Sequence, residues 1–114
     1  MTLSDLLDHA LTKPETEETL PFGPDVLVLK TGGKVFLLVP LDADPPRFNA
    51  KCDPDRALIL REEHEAIVPG YHMNKKHWNT ITMDGSIPNA LIRELVDHSY
   101  ALVRSTPGKK KIKS

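Results

Sequence analysis

Cysteine is nearly absent from this chain: Cys52 stands alone among 114 residues. No disulfide can form within the chain, and a lone thiol fits a reducing compartment better than a secreted one. Long apolar runs are also missing. No stretch approaches the ~20 residues that a membrane-spanning helix needs. The start, Met1-Thr2-Leu3-Ser4-Asp5, has neither the positive charge nor the apolar stretch of a secretory signal. A cytoplasmic protein with no membrane partner is the expectation. The familiar catalytic and phosphate-binding signatures are absent too. There is no G-x-S-x-G, no P-loop and no G-x-G-x-x-G, and Gly32-Gly33 is too little to cradle a phosphate.

What remains is ordinary globular material, 39% apolar and 27% charged. A chain of this size buries roughly two thirds of its unfolded surface, enough for one core without metal or disulfide staples. Net charge is −1, which hides an asymmetry. Residues 1–70 hold 7 Lys/Arg against 13 Asp/Glu, while residues 71–114 hold 8 against 3. A basic C-terminal part suits phosphates or an acidic protein; the ordinary alternative is a dipolar surface that aids solubility.

Leu3, Leu6, Leu7, Ala10 and Leu11 fall at helical spacing, so residues 3–12 predict a helix capped by Thr2 or Ser4 and stopped by Pro14. Glu15, Glu17 and Glu18 predict a solvated connector. Val26–Leu29 and Val35–Val39 predict strands joined by a tight turn at Thr31-Gly32-Gly33-Lys34. Arg47 to Cys52 alternates with period two, which puts Phe48, Ala50 and Cys52 inside and Arg47, Asn49 and Lys51 outside. Asp53-Pro54 opens a second helix that runs to about Glu63. Ile67-Val68-Pro69-Gly70 breaks the pattern, and Tyr71–Met83 predicts a second hairpin around Asn74-Lys75-Lys76. Ser86 caps a last helix with Leu91, Leu95 and Leu102 in its apolar stripe. The order helix, three strands, helix, two strands, helix implies an α+β two-layer sandwich on an antiparallel sheet. Residues 1–104 form one domain in this reading, and 105–114 a basic, disordered tail. Trp78, Val35, Phe36, Leu38 and Leu95 are expected in the core.

The most unusual stretch is Pro69 to Thr80, which packs two His, two Lys, two Asn, Tyr71 and the only Trp into twelve residues. Lysines neutralise phosphates, aromatic faces stack on bases, and Asn reads base edges or phosphates. The plainer alternative makes Trp78 a core aromatic and the lysines a solvated hairpin tip, and for Trp78 it is preferred. His72 and His77, together with His9, His64, His98 and Cys52, lack zinc-ligand spacing, so neither a metal nor a cofactor is expected. Cys52 reads as a small buried hydrophobe and not as a nucleophile.

Lys51-Cys52-Asp53-Pro54, the tract Pro69–Thr80, Asp84-Gly85-Ser86 and Asp97-His98-Ser99-Tyr100, together with Pro21-Phe22-Gly23-Pro24, resemble the MmcQ/YjbR family over roughly residues 3–104. The resemblance implies a small α+β fold similar in architecture to type III secretion chaperones. It also implies DNA binding through a "double wing" surface, with no catalytic residues to carry over. On that basis Tyr71, His72, Asn74, Lys75, Lys76, His77 and Trp78 are the candidate nucleic-acid contacts. The expectation is a monomeric, non-enzymatic protein that binds duplex DNA weakly and salt-sensitively, because its total charge is near neutral. The alternative is a protein or peptide interaction module with a chaperone-like sheet face, and a small-molecule binder ranks third. A contiguous positive face favours the first, an apolar groove the second, and a deep pocket lined by His the third.

Overall fold

The computed structural model describes residues 1–105. Three helices, α1 (Leu3–Leu11), α2 (Pro54–Glu63) and α3 (Asn89–Ser105), accompany six strands. The strands are β1 (Thr16–Thr19), β2 (Val26–Thr31), β3 (Lys34–Pro40), β4 (Arg47–Lys51), β5 (Ile67–Pro69) and β6 (Trp78–Thr82). They form a single antiparallel sheet in the order β1-β2-β3-β4-β6-β5. The α+β class and the helix–strands–helix–strands–helix order follow the sequence, but the sheet has six strands where the sequence predicts five: one is additional and one lies earlier in the chain. The acidic connector is edge strand β1, with Glu17 opposite Lys30 and Thr19 opposite Val28. Ile67–Pro69 is edge strand β5, so the second hairpin is β5–β6, and Tyr71–His77 is its loop. Ser105 closes α3, and the remainder of the expected tail lies outside the described residues.

Local chemistry sets the element ends. Thr2 and Asp5 form a reciprocal capping box on α1, each side-chain oxygen accepting from the other's backbone N–H. Asp53 caps α2, accepting from the Arg56 N–H with Pro54 at the first helical position. Ser86 is not the cap of α3: its hydroxyl and N–H both donate to Asp84, and the Pro88 carbonyl accepts the first helical bond, from Ile92. Gly32 and Gly33 both have positive φ, the two-residue turn that a twisted hairpin favours.

The helices cover one face of the sheet. Leu27, Leu29, Leu37, Val39, Phe48 and Ile81 point into one core with Leu6, Ala57, Leu60, Leu95 and Val96. The register shifts between Leu29 and Lys30, and Phe36 has no partner on β2. This bulge lets Phe36 and Leu37 both enter the core, and the Phe36 ring meets Tyr100 of α3 edge-on at 5.3 Å. The opposite face has no helix. Val35 and Leu38 project there and are half-buried, short of the full burial their apolar run predicts. Phe36 and Leu95 are buried as expected.

Between β3 and β4 the ladder is short, pairing only Leu37 with Ala50 and Leu38 with Asn49. Continuing that register would place Phe36 opposite Lys51. Ser99 of α3 inserts there instead: its hydroxyl donates to the Phe36 carbonyl at 2.6 Å and accepts from the Lys51 N–H at 2.9 Å. A side chain thus completes the sheet's hydrogen bonding where the strands part. On α3, burial works against the Asp97 carboxylate, but Lys13, just past the end of α1, and His9 of α1 outweigh it and hold its pKa below the usual value.

Candidate binding site on the open sheet face

The helix-free face carries a groove of about 500 Å³. Its floor is Val26, Leu38 and Pro40, with Arg47 and Asn49 beside them. One wall is Phe22, from the Pro21-Phe22-Gly23-Pro24 turn, and the other is Tyr71-His72-Met73 of the β5–β6 loop. A second apolar hollow of about 340 Å³, bounded by Pro21, Val28, Lys30 and Val35, shares Phe22, Leu38 and Met73 with it. The two make one continuous depression. Phe22 is 73% and Tyr71 58% exposed, unusual for large apolar side chains beside a sheet.

The loop wall is held by named bonds. Gly70 pairs with Trp78 across the hairpin, its N–H donating to the Trp78 carbonyl at 2.8 Å. A Cβ at Gly70 would stand 2.8 Å from the Trp78 Cβ, so only glycine permits this approach. The Tyr71 N–H donates to the Thr80 hydroxyl at 2.9 Å, and that hydroxyl donates to Asn49 Oδ1. His72 holds φ +60, a left-handed conformation that histidine seldom adopts, with its ring 4.1 Å from that of Tyr71. From the helix side, Arg61 donates Nε–H to Asn79 Oδ1 at 2.7 Å and binds the Lys75 carbonyl. Arg61 therefore positions the loop from beneath.

The structure separates the seven sequence candidates. Tyr71 and His72 line the groove. The Lys75 ammonium turns back to donate to the Gly70 carbonyl at 2.9 Å. Asn74 shapes the loop, its Oδ1 accepting from the Lys76 N–H. Lys76 lies toward α2, beside Asp55 and Leu58, while His77 faces Cys52, Asp53 and Ser105. Trp78 is half-buried opposite Lys51, less enclosed than a core aromatic. His72 and His77 thus stand on different surfaces, and among the described residues no three His, Cys, Asp or Glu side chains gather in metal-binding geometry. Sequence reasoning did not single out Phe22, Arg47 or Arg61 as site residues. Only the outward alternation of Arg47 and Asn49 on β4 signalled that this face was polar at one end.

Charge on the open face is mixed. Asp25, Asp42 and Arg47 share the groove, and Lys30 borders the adjoining hollow. Among the described residues the Arg47 guanidinium has no ion-pair partner. Cys52 is buried at the start of α2, and burial pushes its thiol up to about 11 despite the opposing charge of Arg56. No helix among the described residues is long and apolar enough to cross a membrane.

Three helices on one side and an aromatic-walled groove on the other define a small α+β domain organised around one free sheet face. The family model described as YjbR matches residues 11–102, and the chain belongs to that family. It is 43% identical over 94 residues to the uncharacterised protein YbdF of Escherichia coli O157:H7, covering 82% of this chain and 77% of that one. It is 35% identical over 100 residues to the uncharacterised protein YjbR of Escherichia coli K12, covering 88% and 85%. A crystal structure of Deinococcus radiodurans DR2400, assigned to DUF419, superposes with a TM-score of 0.88 at 41% identity over 92% of this chain and 80% of that one. A Pseudomonas syringae crystal structure gives 0.79 at 27% identity, over 91% and 100%.

Proposed function

We propose that the chain is a non-enzymatic binding module whose open-face groove receives an extended, mainly apolar polypeptide segment of a protein partner. The observation that carries this reading is the groove itself, a continuous apolar depression flanked by two exposed aromatic side chains, Phe22 and Tyr71. Apolar area withdrawn from water contributes about 25 cal/mol per Å², and exposed aromatic rings beside a concave floor present that area to a partner. Arg47 and Asn49 at one end of the floor fix polarity and register for a bound segment. The test is selection of peptides from a displayed random library, followed by calorimetric titration of the best sequence. Phe22→Ser and Tyr71→Ser each weaken binding at least about tenfold, a loss of about 1.4 kcal/mol. Wild-type affinity in both variants would remove the groove from recognition.

A second reading, duplex DNA contacted through the β5–β6 loop, is favoured by Lys76, which is exposed, and by the positive balance of residues 71–114. It has less support than the groove, because the Lys75 ammonium is engaged with Gly70 and the open face interleaves both signs of charge. Titration of labelled duplex DNA at two salt concentrations tests it. On this reading Lys75→Ala/Lys76→Ala lowers the log–log salt slope by up to about 2.

A further inference from the structure

The open-face groove holds a cation that no other group among the described residues neutralises. Arg47 opens β4, a strand with three strands on one side of it in the sheet and two on the other. Its side chain lies in the groove with Leu38 and Pro40 and is half-buried. A charge partly withdrawn from water loses hydration that an ion partner makes good. Neither carboxylate of the groove does so. Asp25 and Asp42 are exposed, and among the described residues neither lies within ion-pair distance of the guanidinium. Asn49, two residues along β4, faces the same way, between Leu38 of β3 and Thr80 of β6. The Thr80 hydroxyl accepts from the Tyr71 N–H and gives its own hydrogen to Asn49 Oδ1. That bond orients the amide: its oxygen is engaged, and its NH2 group has no partner among the described residues. Arg47 and Asn49 thus present donors side by side on a largely apolar floor, which is the chemistry that receives a carboxylate.

We infer that the segment received by the groove carries an Asp or Glu side chain, whose carboxylate seats on the Arg47 guanidinium and the Asn49 NH2 group. The inference rests on the groove reading and adds to it the charge of the partner. Charge complementarity favours a side chain over a chain end. Asp25 and Asp42 flank the paired ends of β2 and β3, the same end of the groove that Arg47 occupies. A segment that continues past its acid can bring a base to them, which a terminal carboxylate cannot. The competing cation is Lys30, in the adjoining hollow, and it stands opposite Glu17 of β1.

The test uses the library-selected peptide, acetylated at its N-terminus and amidated at its C-terminus, so that any carboxylate it carries belongs to a side chain. Selected sequences contain an Asp or Glu, and its replacement by Asn or Gln weakens binding to the wild-type protein at least about tenfold by calorimetry. On Arg47→Gln, shown to be folded by circular dichroism, the same replacement changes binding by less than about twofold, and on Lys30→Gln the tenfold loss remains. The Arg47 Nε–H resonance needs no protein variant: it shifts on addition of the acidic peptide and stays in place with the amide one. Selected peptides without an acid, an acid whose replacement leaves affinity unchanged, or a loss that is abolished by Lys30→Gln and kept in Arg47→Gln overturns the inference. If Phe22→Ser and Tyr71→Ser still weaken binding in those cases, the groove reading stands without it; wild-type affinity in both serine variants removes the two together. Binding that requires a free C-terminus overturns the side-chain source, because the anion would then be a chain end.

Discussion

Ser99→Ala is the sharpest test of how the fold holds the sheet together. Ser99 is completely buried, and its hydroxyl pairs with two backbone groups where β3 and β4 part, the Phe36 carbonyl and the Lys51 N–H. Alanine removes one oxygen and leaves a space too small for a water, so both groups lose their partner. A buried polar group left unpaired costs about 1–3 kcal/mol, giving about 2–6 kcal/mol for the pair. Alanine's better helix propensity returns no more than about 0.5 kcal/mol. In a chain of this size, where 1 kcal/mol is about 4 °C, the net loss lowers the melting temperature by roughly 6–23 °C. Urea unfolding followed by circular dichroism measures it, and a fall in midpoint with an unchanged slope marks a true stability loss. Lys51→Ala is the control, since it keeps the backbone N–H. Native-state hydrogen exchange adds a local readout: the Lys51 amide loses protection in Ser99→Ala well beyond the global change. A Ser99→Ala protein destabilised by less than about 1 kcal/mol would refute the bridging role.

Three further outcomes follow from the site. Gly70→Ala forces a Cβ against Trp78 and costs about 1–3 kcal/mol by overpacking, measured by urea unfolding; unchanged stability would show that the hairpin can shift freely. Arg61→Met leaves buried Asn79 without its charged partner, costing about 1–3 kcal/mol, and raises amide exchange across residues 71–77; exchange like wild type would remove Arg61 as the loop's positioning residue. The unfolded Cys52 thiol ionises near 9.0 and the folded one near 11, so the unfolded state binds fewer protons in that window and stability falls as pH rises through it. Cys52→Ala flattens that part of the pH–stability profile, and an equally steep fall in the variant would assign it to other groups.

The sequence exposed the fold where burial wrote a clear pattern. The alternation around Phe48 and Ala50, the Gly32-Gly33 turn and the stripe containing Leu95 led directly to β4, the β2–β3 hairpin and α3. It hid the two edge strands. Thr16-Glu17-Glu18-Thr19 has no apolar side chain, because an edge strand gains its backbone bonds from β2 and needs little burial of its own. Ile67-Val68-Pro69 is three residues long and ends in proline, which brings no N–H to a ladder, so it carries little strand signal of its own. The loop Tyr71–His77 drew attention through its composition, but side-chain direction was illegible. The Lys75 ammonium folds back, and the left-handed turn at His72 sends Tyr71 and Lys76 to different surfaces. The groove was illegible for another reason: Phe22, Leu38 and Arg47 come from separate elements and meet only when the sheet is assembled.

Mapping of backbone amide shifts tests the open sheet face as the binding surface most directly. Isotope-labelled protein is titrated first with the selected peptide and then, separately, with a duplex DNA at low salt. The peptide is expected to shift the amides of Val26, Leu38, Asn49 and Tyr71–Met73, and DNA to leave these positions unchanged. Peptide shifts scattered outside the groove, or DNA shifts concentrated at Lys75, Lys76 and His77 with an affinity that falls steeply with salt, would contradict it.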